Sequence, residues 1–543
     1  MKKIGLIAIL SLMVCSAWAI PARRGGIVKT QPDGSQITVY QHGDEHFRWM
    51  TNAKGEWLKV DENGFYQVTE ALSAEEIRTK QMAAPSRVAQ AQKVATPLNI
   101  APRGLVILVN FTDVAFTTDK AEMDSMLIGK NYTRDYSYNY GGRKYFVTSE
   151  GSAWKYFYDS SDGQYSPQFD VVGPVTVSRE MSYYGKNVNG FDANPWIMVK
   201  EACQLVDDSI DFTKYDNNND GYVDFVYVIY AGYGEADGGD KNTIWPHSYW
   251  LMEAGVNCKV DGKYVDLYAC GNELDYHSKQ HTGIGTFCHE FSHVLGLPDL
   301  YETTGNGTHK TLGSWSILDY GPYNNDGNTP PAYSAYERFM MGWLIPKLIV
   351  VPENIELEEL QESNSALLIS TTDEHNLIGN DPKPTTFYML ENRQQKEWDE
   401  YLPGHGLMLT KVQYSSKKWS ENTVNNTASR MGVDLIEADG KEPDYYSNGY
   451  DGKASDLFPA GAKEYTKIED HAIENITEKD GMISFSYRGG GDNTATESAV
   501  AIDNHIVAIY NILGQKQPST DLKTLPRGTY VVVTANGNHK IVR

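Results

Sequence analysis

The segment GTFCHEFSHVLGLPDLY, residues 285–301, constrains the fold of this 543-residue chain more than any other feature. His289 and His293 are four positions apart, so on a helix their side chains lie on one face, one turn apart. Phe287 and Phe291 then fall on the opposite face, at the spacing of core residues. The sequence therefore predicts an amphipathic helix that carries two imidazoles where a polar face is expected.

Two imidazoles placed in this way can bind zinc at about 2.0–2.1 Å each. Glu290 reaches a water molecule at such a metal without ligating it, which is the position of a general base. Gly296 can adopt a positive φ, end the helix and turn the chain back, which brings Asp299 near the metal as a third ligand. Three protein ligands leave one position for water, the arrangement of a catalytic zinc site. The alternative is a structural or lost site.

A second metal site is predicted at the segment DNNNDGYVD, which begins at Asp216. Asp216, Asn218 and Asp220 place hard oxygen atoms at alternate positions, a glycine follows at the sixth, and Asp224 comes next. This pattern is the front half of a calcium-binding loop and lacks the glutamate expected at the twelfth position. The alternative is an Asx-rich turn that is stabilised by its own side chains.

The chain divides into several units with different patterning. LVILVNF, which starts at Leu105, is typical of a strand buried on both faces, and helical segments follow, one of them around Trp196 to Val206. From about Leu348 the pattern changes to alternating strands without helices, which predicts a separate β-sandwich. We expect an α+β multidomain protein with a catalytic domain at 101–347, the β-sandwich at 348–488 and a linker at 489–498.

The first hundred residues predict export and a removable segment. Residues 1–19 have the charged start, short apolar run and Ala-Trp-Ala ending of a signal peptide. Residues 20–100 combine short strands with a linker rich in Ala, Gln and Pro, which is typical of a propeptide. It contains no cysteine, so any side chain that blocks a metal is a carboxylate or an imidazole. The densest candidates are the following: His42, Asp44, Glu45 and His46. The alternative is a permanent N-terminal β domain.

The net charge and apolar content limit the possible binding partners, and the cysteine content limits the possible disulfides. The formal net charge of -23 argues against a nucleic-acid partner, because nothing would offset phosphate repulsion. No segment after the signal peptide is apolar enough to cross a membrane. The remaining cysteines are Cys203, Cys258, Cys270 and Cys288, and Cys258–Cys270 is the first disulfide we expect. The alternative is four buried thiols.

HEFSHVLGLPD, residues 289–299, resembles the elongated zinc motif of metzincins, in the version with aspartate as third ligand. This version is similar to that of the immune-inhibitor-A-like secreted bacterial metalloproteases. Other blocks resemble the same family: RGLVILVNFTDVAF, QFDVVGPVTVSREMSYYG, YDNNNDGYVDFVYVIYAGYGEADGG, IWPHSYW and TFYMLENRQQKEWDEYLPGHGLML. The resemblance implies a metzincin-type α/β catalytic domain, proteolysis of protein substrates and a removable propeptide.

One part of the resemblance departs from the family pattern. Metzincins carry a methionine in a turn beneath the zinc site, and Leu318 stands at that position in GSWSILDYG. Leucine has nearly the volume of methionine, so we expect a small effect. In some metzincins a tyrosine two residues further stabilises the transition-state oxyanion, and Tyr320 is the matching residue here. The alternative is a tyrosine that only packs near the wall of the site.

The C-terminal residues 499–543 form a short all-β module in which Asn536-Gly537 predicts a hairpin. IVAIYNILGQKQ, LPRGTYVVV and HKIVR resemble the module that type IX secretion systems use to export proteins. This resemblance implies a partner in the export machinery and a location outside a Gram-negative cell, released or attached to its surface. The alternative is a carbohydrate-binding or structural appendage.

The function expected from these features is metal-assisted hydrolysis of peptide bonds, with Glu290 as general base. The alternatives are a surface adhesin or binding protein on the same scaffold and a different zinc hydrolase, such as an esterase. An intact set of His289, Glu290, His293 and Asp299 favours the peptidase.

Overall fold

The computed structural model describes residues 20–45, 47–73, 76, 102–188, 190–304, 309–372, 375–441 and 452–490, and residues 506–511, 516–517, 519, 525, 529–534 and 537–542. The predicted signal peptide and most of the predicted linkers lie outside these residues. No helix among the described residues has the length and apolar character needed to cross a membrane.

The N-terminal region is an antiparallel meander of five strands in sequence order. Its strands are β1 (Gly26–Thr30), β2 (Gln36–Gly43), β3 (Arg48–Thr51), β4 (Trp57–Val60) and β5 (Tyr66–Val68). Gly34, Gly55 and Gly64 lie in the connections between these strands, and all three have φ between 79° and 87°. These values lie in the left-handed region that glycine adopts without steric cost.

The region from residue 102 to about 344 contains most of the helices. Its strands are β6 (Arg103–Asn110), β7 (Thr133–Tyr140), β8 (Arg143–Glu150), β9 (Gln168–Thr176), β10 (Asn187–Val188), β11 (Phe191–Asp192), β12 (Tyr222–Val223), β13 (Val226–Tyr233), β14 (His247–Trp250), β15 (Cys258–Val260), β16 (Lys263–Val265) and β17 (Leu267–Leu274). Its helices are α1 (Lys120–Ile128), α2 (Ala153–Ser160), α3 (Met181–Gly185), α4 (Pro195–Val206), α5 (Gly285–Val294) and α6 (Ala335–Met340).

A mixed five-stranded sheet, ordered β14-β17-β13-β6-β9, organises this region. Strands β17, β13, β6 and β9 are parallel neighbours, and β14 is an antiparallel edge strand. Strand β6 has neighbours on both sides and is buried from Gly104 to Val109, which confirms the predicted strand buried on both faces. Val106 and Leu108 belong to the core that contains helix α5, whereas the alternate residues of β6 belong to the core that contains helix α4. The sheet therefore lies between two layers of helices.

The region after residue 344 contains two further sheets, ordered β18-β20-β21-β22-β23 and β19-β25-β24. The strands are β18 (Lys347–Ile349), β19 (Glu353–Leu357), β20 (Leu367–Ile369), β21 (Thr386–Arg393), β22 (Gly406–Gln413), β23 (Val433–Leu435), β24 (Ile473–Lys479) and β25 (Met482–Tyr487). The prediction that helices stop at Leu348 is wrong, since α7 (Leu360–Ser363) and α8 (Ser416–Ser420) are also present. Both are single turns, too short to leave a helical periodicity in the sequence.

The two sheets share one apolar cluster but do not form an isolated core. Met389 and Met408, which lie on β21 and β22, pack in the same cluster as α5 and α6. Trp419 on α8 packs edge-on against Tyr336 on α6, with 6.4 Å between the ring centroids. This region therefore supports the helices of the preceding region directly.

The C-terminal residues form a three-stranded antiparallel sheet from β26 (Ile506–Asn511), β27 (Thr529–Thr534) and β28 (Gly537–Val542). Thr534 pairs with Gly537, which confirms the predicted hairpin, although Asn536 lies outside the described residues. Among the described residues of this part, Ile509, Leu525, Tyr530 and Val532 form an apolar cluster. Short 3-10 turns occur elsewhere, at Asp207–Ser209, Phe212–Tyr215, Gly313–Trp315, Gly321–Gly327, Glu397–Asp399, Ala428–Arg430 and Ala454–Asp456.

The four cysteines among the described residues are free and buried, so the predicted Cys258–Cys270 disulfide is wrong and the alternative of four buried thiols is confirmed. Cys258 lies on β15 and Cys270 on β17, and these two strands belong to different sheets. The side chain of Cys258 instead makes a hydrogen bond with Cys203, which together with burial raises the pKa of the Cys203 thiol.

Candidate metal centre

Helix α5 presents His289 and His293 on one face, and both side chains are fully buried. On the opposite face Phe287 and Phe291 pack edge-on against Phe169, with ring centroids 5.0 Å and 5.1 Å away. The predicted amphipathic helix is therefore confirmed. Its apolar face anchors it in the core, which fixes the direction of the two imidazoles.

The chain turns back directly after α5. Gly296 has a φ of 94°, the left-handed value that the sequence predicted for the end of the helix. The N–H of Leu297 donates to the carbonyl of Ser292 at 3.1 Å and closes the turn. Asp299, which follows, is fully buried and lies beside the two imidazoles.

Three atoms that can ligate a metal converge at this point. Nε2 of His289 and Nε2 of His293 lie 3.1 Å apart, and Oδ1 of Asp299 lies 3.3 Å and 3.2 Å from them. Zinc bonds of about 2.0–2.1 Å in a tetrahedron separate the ligand atoms by roughly 3.3 Å, so the three distances fit that ion. Among the described residues, these three side chains form a group that could hold a metal ion, since their ligand atoms all lie within 4.8 Å of one another.

Hydrogen bonds on the far side of each ring fix the protonation of the imidazoles. Nδ1 of His289 lies 2.7 Å from the carbonyl oxygen of Ile317, and Nδ1 of His293 lies 2.8 Å from that of Leu297. A carbonyl can only accept, so each Nδ1 carries a proton and each neutral Nε2 presents a lone pair. Two lone pairs and a carboxylate oxygen at these distances repel each other unless a cation lies between them. The donor set therefore fits a divalent metal.

The local environment favours the protonation states that bind a metal. Burial lowers the pKa of His289, which keeps its imidazole neutral. Burial raises the pKa of Asp299, but the positive charge and the hydrogen bonds that His293 and His289 supply when protonated outweigh burial and hold that pKa well below its usual range. A metal cation between the three side chains would supply positive charge in the same place. Asp299 is therefore ionised.

Asn422, which lies between α8 and β23, holds the carboxylate of Asp299, and the sequence did not predict this contact. Nδ2 of Asn422 donates to Oδ2 of Asp299 at 2.6 Å, and the N–H of Asp299 donates to Oδ1 of Asn422 at 2.7 Å. Asn422 is 1% exposed. These paired bonds leave Oδ1 of Asp299 directed at the imidazoles, without a hydrogen-bond donor among the described residues. The signal that could have found Asn422 is the asparagine-rich segment ENTVNN, residues 421–426.

Glu290 is fully buried next to the three converging side chains. Burial raises the pKa of its carboxyl group well above the usual value, and the negative charges of Asp299 and Glu45 raise it further. Its Oε1 accepts a hydrogen bond of 2.9 Å from the backbone nitrogen of Ile20. Nε1 of Trp245 donates to the carbonyl of Ile20, also at 2.9 Å. The residue that follows the predicted signal peptide therefore contacts the predicted general base.

After this contact, residues 20–24 pack against the region from residue 102 to about 344. Tyr323 donates its hydroxyl to the carbonyl of Pro21 at 2.7 Å, and the N–H of Arg23 donates to the carbonyl of Ala236 at 2.9 Å. The side chains of Ile20 and Ala22 are 1% exposed. This segment fills the space in front of Glu290.

The turn beneath the site contains Leu318 and Tyr320. Leu318 is buried in the core, as expected for the position that holds methionine in metzincins. The guanidinium of Arg24 lies 3.4 Å from the ring centroid of Tyr320, a close cation–π contact. In this arrangement the ring of Tyr320 is covered by the N-terminal segment, and its predicted role at an oxyanion stays a prediction.

The predicted calcium loop is closed by its own hydrogen bonds. The carboxylate of Asp216 accepts from the backbone N–H groups of Asp220 and Gly221, both at 3.0 Å, and lies 2.6 Å from Nζ of Lys263. The side-chain nitrogen of Asn218 donates a hydrogen bond of 3.1 Å to Oδ1 of Asp224. These bonds are those of the Asx-rich turn named as the alternative, and calcium binding stays a prediction.

Of the candidate blocking residues, His42, Asp44 and Glu45 are described, and these three do not belong to the metal group. Nε2 of His42 lies 2.9 Å from Oγ1 of Thr51. Asp44 and Glu45 are buried, and Glu45 is near enough to raise the pKa of Glu290. His46 lies outside the described residues. The N-terminal segment instead contacts Glu290 through the backbone nitrogen of Ile20, which the sequence did not predict.

The central region of the chain is similar to known proteins. Residues 92–344 match the family model described as immune inhibitor A peptidase M6, catalytic domain. The pre-pro-metalloprotease PrtV of Vibrio cholerae serotype O1 (strain M66-2) is 27% identical over 304 residues, which cover 50% of this chain and 33% of that protein. Immune inhibitor A of Bacillus thuringiensis subsp. alesti is 26% identical over 262 residues, which cover 42% of this chain and 38% of that protein.

The chain thus spans about a third of the length of these curated relatives. The family match covers the strands β6 to β17, helix α5 and all three converging side chains. Residues 92–344 of this chain are therefore similar to the catalytic domain of immune inhibitor A peptidases of the M6 family.

Proposed function

We propose that this chain is a secreted zinc-dependent metalloendopeptidase that hydrolyses peptide bonds of extracellular proteins. The observation that carries the proposal is the convergence of His289, His293 and Asp299 at 3.1–3.3 Å beside the buried carboxylate of Glu290. These three side chains are the zinc ligands. The name of the curated relative PrtV, a pre-pro-metalloprotease, supports the same activity.

The mechanism assigns a proton-transfer role to Glu290. His289, His293 and Asp299 would hold the zinc ion, which would supply Lewis-acid chemistry by polarising the scissile carbonyl and lowering the pKa of a water molecule. Glu290 would accept a proton from the attacking water and later deliver it to the leaving amine. Its place beside His289 on a helix locked into the core keeps this carboxylate at a fixed distance from the ligands. Tyr320 donates a hydrogen bond to the oxyanion once Arg24 no longer covers its ring.

The proposed architecture has five parts after the signal peptide. They are a propeptide with linker (20–100), a metzincin-type catalytic domain (101–347), a β-sandwich (348–488), a linker (489–498) and a C-terminal sorting module (499–543). The shared apolar cluster of the two sheets after residue 344 supports the sandwich. The small separate cluster of the last three strands supports a module that is removable.

We also propose that residues 20–100 keep the enzyme latent. The support is the contact of Ile20 with Glu290 and the burial of the segment that follows it. A substrate cannot reach Glu290 while Ile20 donates to its carboxylate. When the signal peptide is removed after Ala19, the nitrogen of Ile20 becomes an α-amino group, and its positive charge strengthens this contact with a carboxylate.

Two further assignments belong to the same proposal. Asp216, Asn218, Asp220 and Asp224 bind a structural calcium ion, supported by the spacing of their oxygen atoms in the sequence. Residues 499–543 direct the protein through export machinery to the outside of a Gram-negative cell, where it is released or held on the surface.

The experiment that tests the function is digestion of a mixed protein substrate by the full-length chain after cleavage of its linker, with and without a zinc chelator. Glu290→Gln is the matched variant, because it keeps the shape of the side chain and removes the base. We expect wild-type cleavage that the chelator abolishes, and full zinc content without turnover in the variant. Substantial turnover by Glu290→Gln with zinc bound would remove Glu290 from the mechanism. A wild type that binds proteins without cleaving them would favour the adhesin.

A further inference from the structure

A cluster of three carboxylates surrounds Arg23 and lies outside the metal group. The guanidinium of Arg23 is buried among them: Nη1 lies 2.8 Å from Oδ1 of Asp237, and Nη2 lies 2.6 Å from Oδ1 of Asp326. Nη1 also contacts the carboxylate of Asp275. Arg23 is only 7% exposed, so one cationic side chain occupies an enclosed acidic pocket.

The catalytic region builds this pocket with its own donors. Each of the three carboxylates has a second hydrogen bond that does not involve the N-terminal segment. These bonds come from the N–H of Tyr276 to Asp237 (2.9 Å), the N–H of Ser278 to Asp275 (2.6 Å) and the hydroxyl of Tyr138 to Asp326 (2.6 Å). The carboxylates are therefore held in position by residues that stay when Arg23 leaves.

The position of the pocket in the fold is that of a substrate site. Asp237 and Asp275 follow β13 and β17, which are parallel neighbours, so both lie at the carboxyl ends of the strands. Ligands bind at this edge in many sheets of parallel strands. Asp326 lies in the turn Gly321–Gly327, which packs against helix α5, the helix of Glu290.

Charge balance in the pocket calls for a cation. Burial raises the pKa of Asp237 to about 7, the negative charge of Asp275 adds to this, and Arg23 opposes it. Burial also raises the pKa of Asp275, but Arg23 and the hydrogen bonds from Ser278 outweigh it and hold that pKa well below its usual range. The buried acids Asp237 and Asp275 and the partly exposed Asp326 face one guanidinium. Removal of Arg23 therefore leaves buried negative charge without a partner, which is strongly unfavourable.

Arg23 reaches the pocket from a chain that also reaches the base. The nitrogen of Ile20 lies 2.9 Å from Glu290, and Arg23 follows three residues later, a span of at most about 10 Å for an extended chain. Arg48 also lies in an acidic site, with Asp192 and Glu235 each 2.8 Å from Nη2, but, unlike Arg23, it is not close to Ile20 along the chain. A peptide that reaches Glu290 along the path of residues 20–24 therefore places a side chain in the Arg23 pocket.

We propose that Asp237, Asp275 and Asp326 form a substrate subsite that selects an arginine or lysine side chain, and that Arg23 occupies it in place of substrate until residues 20–24 leave. The inference rests on the proposed peptidase function and names its substrate class: proteins with a basic residue at one fixed position near the cleaved bond. A substrate that runs in the direction of residues 20–24 has its basic residue on the carboxyl side of that bond. A substrate that runs in the opposite direction has it on the amino side.

The first arm of the test reads substrate preference. The full-length chain is cut in its linker by a site-specific protease that does not recognise Arg or Lys, and a denatured protein mixture is digested. Cleavage sites are mapped by mass spectrometry for the wild type, for the double variant Asp275→Asn/Asp326→Asn and for Asp240→Asn. Asp240 is the matched control, since it lies in the same loop as Asp237 and accepts from the N–H of Asn242, a bond that asparagine can keep.

We expect the wild type and the Asp240→Asn control to show Arg and Lys enriched at one fixed position. The double variant is expected to lose at least about tenfold of that enrichment, because charge-assisted hydrogen bonds become neutral ones. Zinc content and melting temperature are measured for each protein. If the double variant does not fold, Asp326→Asn alone replaces it, because that side chain is 23% exposed and therefore tolerates change better.

The second arm reads binding and needs no turnover. The peptide Ile-Pro-Ala-Arg-Arg-Gly, the sequence of residues 20–25, and its analogue with citrulline at the fourth position are titrated by calorimetry into the same linker-cut proteins. Citrulline has the shape of arginine without the charge. We expect it to bind at least about tenfold more weakly to the wild type, and the two peptides to bind equally to the double variant.

The outcomes separate the inference from the proposed function. A protein that prefers arginine over citrulline but hydrolyses nothing would overturn the peptidase function and support the subsite. A protein that cleaves without basic preference and binds both peptides equally would overturn the subsite alone. Equal preference for arginine in the wild type and the Asn variants would also overturn it, because the three carboxylates would then not be its cause.

Discussion

The side chain of Asn422 offers a sharp test of how the metal ligands are held. Its amide makes both side-chain hydrogen bonds that link Asp299 to the β-sheet region, at 2.6 Å and 2.7 Å. The perturbation is Asn422→Gly, because the φ of residue 422 is 52° and glycine adopts this left-handed conformation without strain. Any other residue would mix backbone strain with the loss of the hydrogen bonds.

The expected loss of zinc affinity follows from the negative charge of Asp299, which accepts the hydrogen bond of Asn422. A hydrogen bond to a charged group contributes about 1.5–3 kcal/mol, and Asp299 is an ionised carboxylate that is fully buried. Removal of the donor frees Oδ2 and lets the carboxylate rotate away from the imidazoles. We therefore expect zinc to bind about 10- to 100-fold more weakly, as for other residues that orient a ligand.

The assay is competition for zinc with a chelator of known affinity, at fixed pH and with the full-length chain. Asn426→Ala is the control: Asn426 makes hydrogen bonds of 2.9–3.1 Å with Thr303 in the same loop but does not contact Asp299. We expect the control to change zinc affinity by less than about threefold. Equal zinc affinity in Asn422→Gly and the wild type, with both folded, would refute the argument that Asn422 orients the ligand.

Four further outcomes are expected. Asp299→Ala should lose zinc on dialysis, because two imidazoles are too few ligands, and stoichiometric zinc after dialysis would mean another third ligand. Added calcium should raise the melting temperature of the chelated wild type but not of Asp220→Ala, and identical melting of both would leave the loop a turn. Cleavage of the linker should raise the specific activity, and equal activity before and after cleavage would rule out latency through residues 20–100. Deletion of residues 499–543 should leave the activity per molecule unchanged while the protein stays in the periplasm, and normal export of the truncated chain would defeat the sorting role.

The parts of the fold that the sequence predicted are those that a local pattern determines. The spacing of His289 and His293 and the φ of Gly296 follow from helical geometry over a few residues. The strand at Arg103–Asn110 follows from a continuous apolar run. In each case the residues that carry the signal are within one turn or one strand of each other, so neighbouring residues alone determine the structure.

The contacts that the sequence did not predict join distant positions. Asn422 is 123 positions from Asp299, and Ile20 is 270 positions from Glu290. Asparagine and isoleucine carry no chemical pattern that names such a partner, because the partner is chosen by how whole sheets pack. The failure of the Cys258–Cys270 prediction has the same origin. A separation of 12 positions is suitable for a hairpin, but the intervening strand β16 pairs with β15, and the chain then enters another sheet.

The contact of Ile20 is with the proposed base, whereas the contact of Asn422 is with a proposed metal ligand, and this difference matters for the proposed activation. Ile20 contacts the base, whereas the partners of the ligands are Asn422 and the carbonyls of Ile317 and Leu297. Departure of residues 20–24 therefore removes a hydrogen bond from Glu290 and leaves every hydrogen bond that orients a ligand. If residues 20–24 leave as proposed, these hydrogen bonds to His289, His293 and Asp299 stay in place, so we expect no rearrangement of the three side chains on activation. Exposure of the base and of the acidic pocket is then a single event, since both are covered by one segment of five residues.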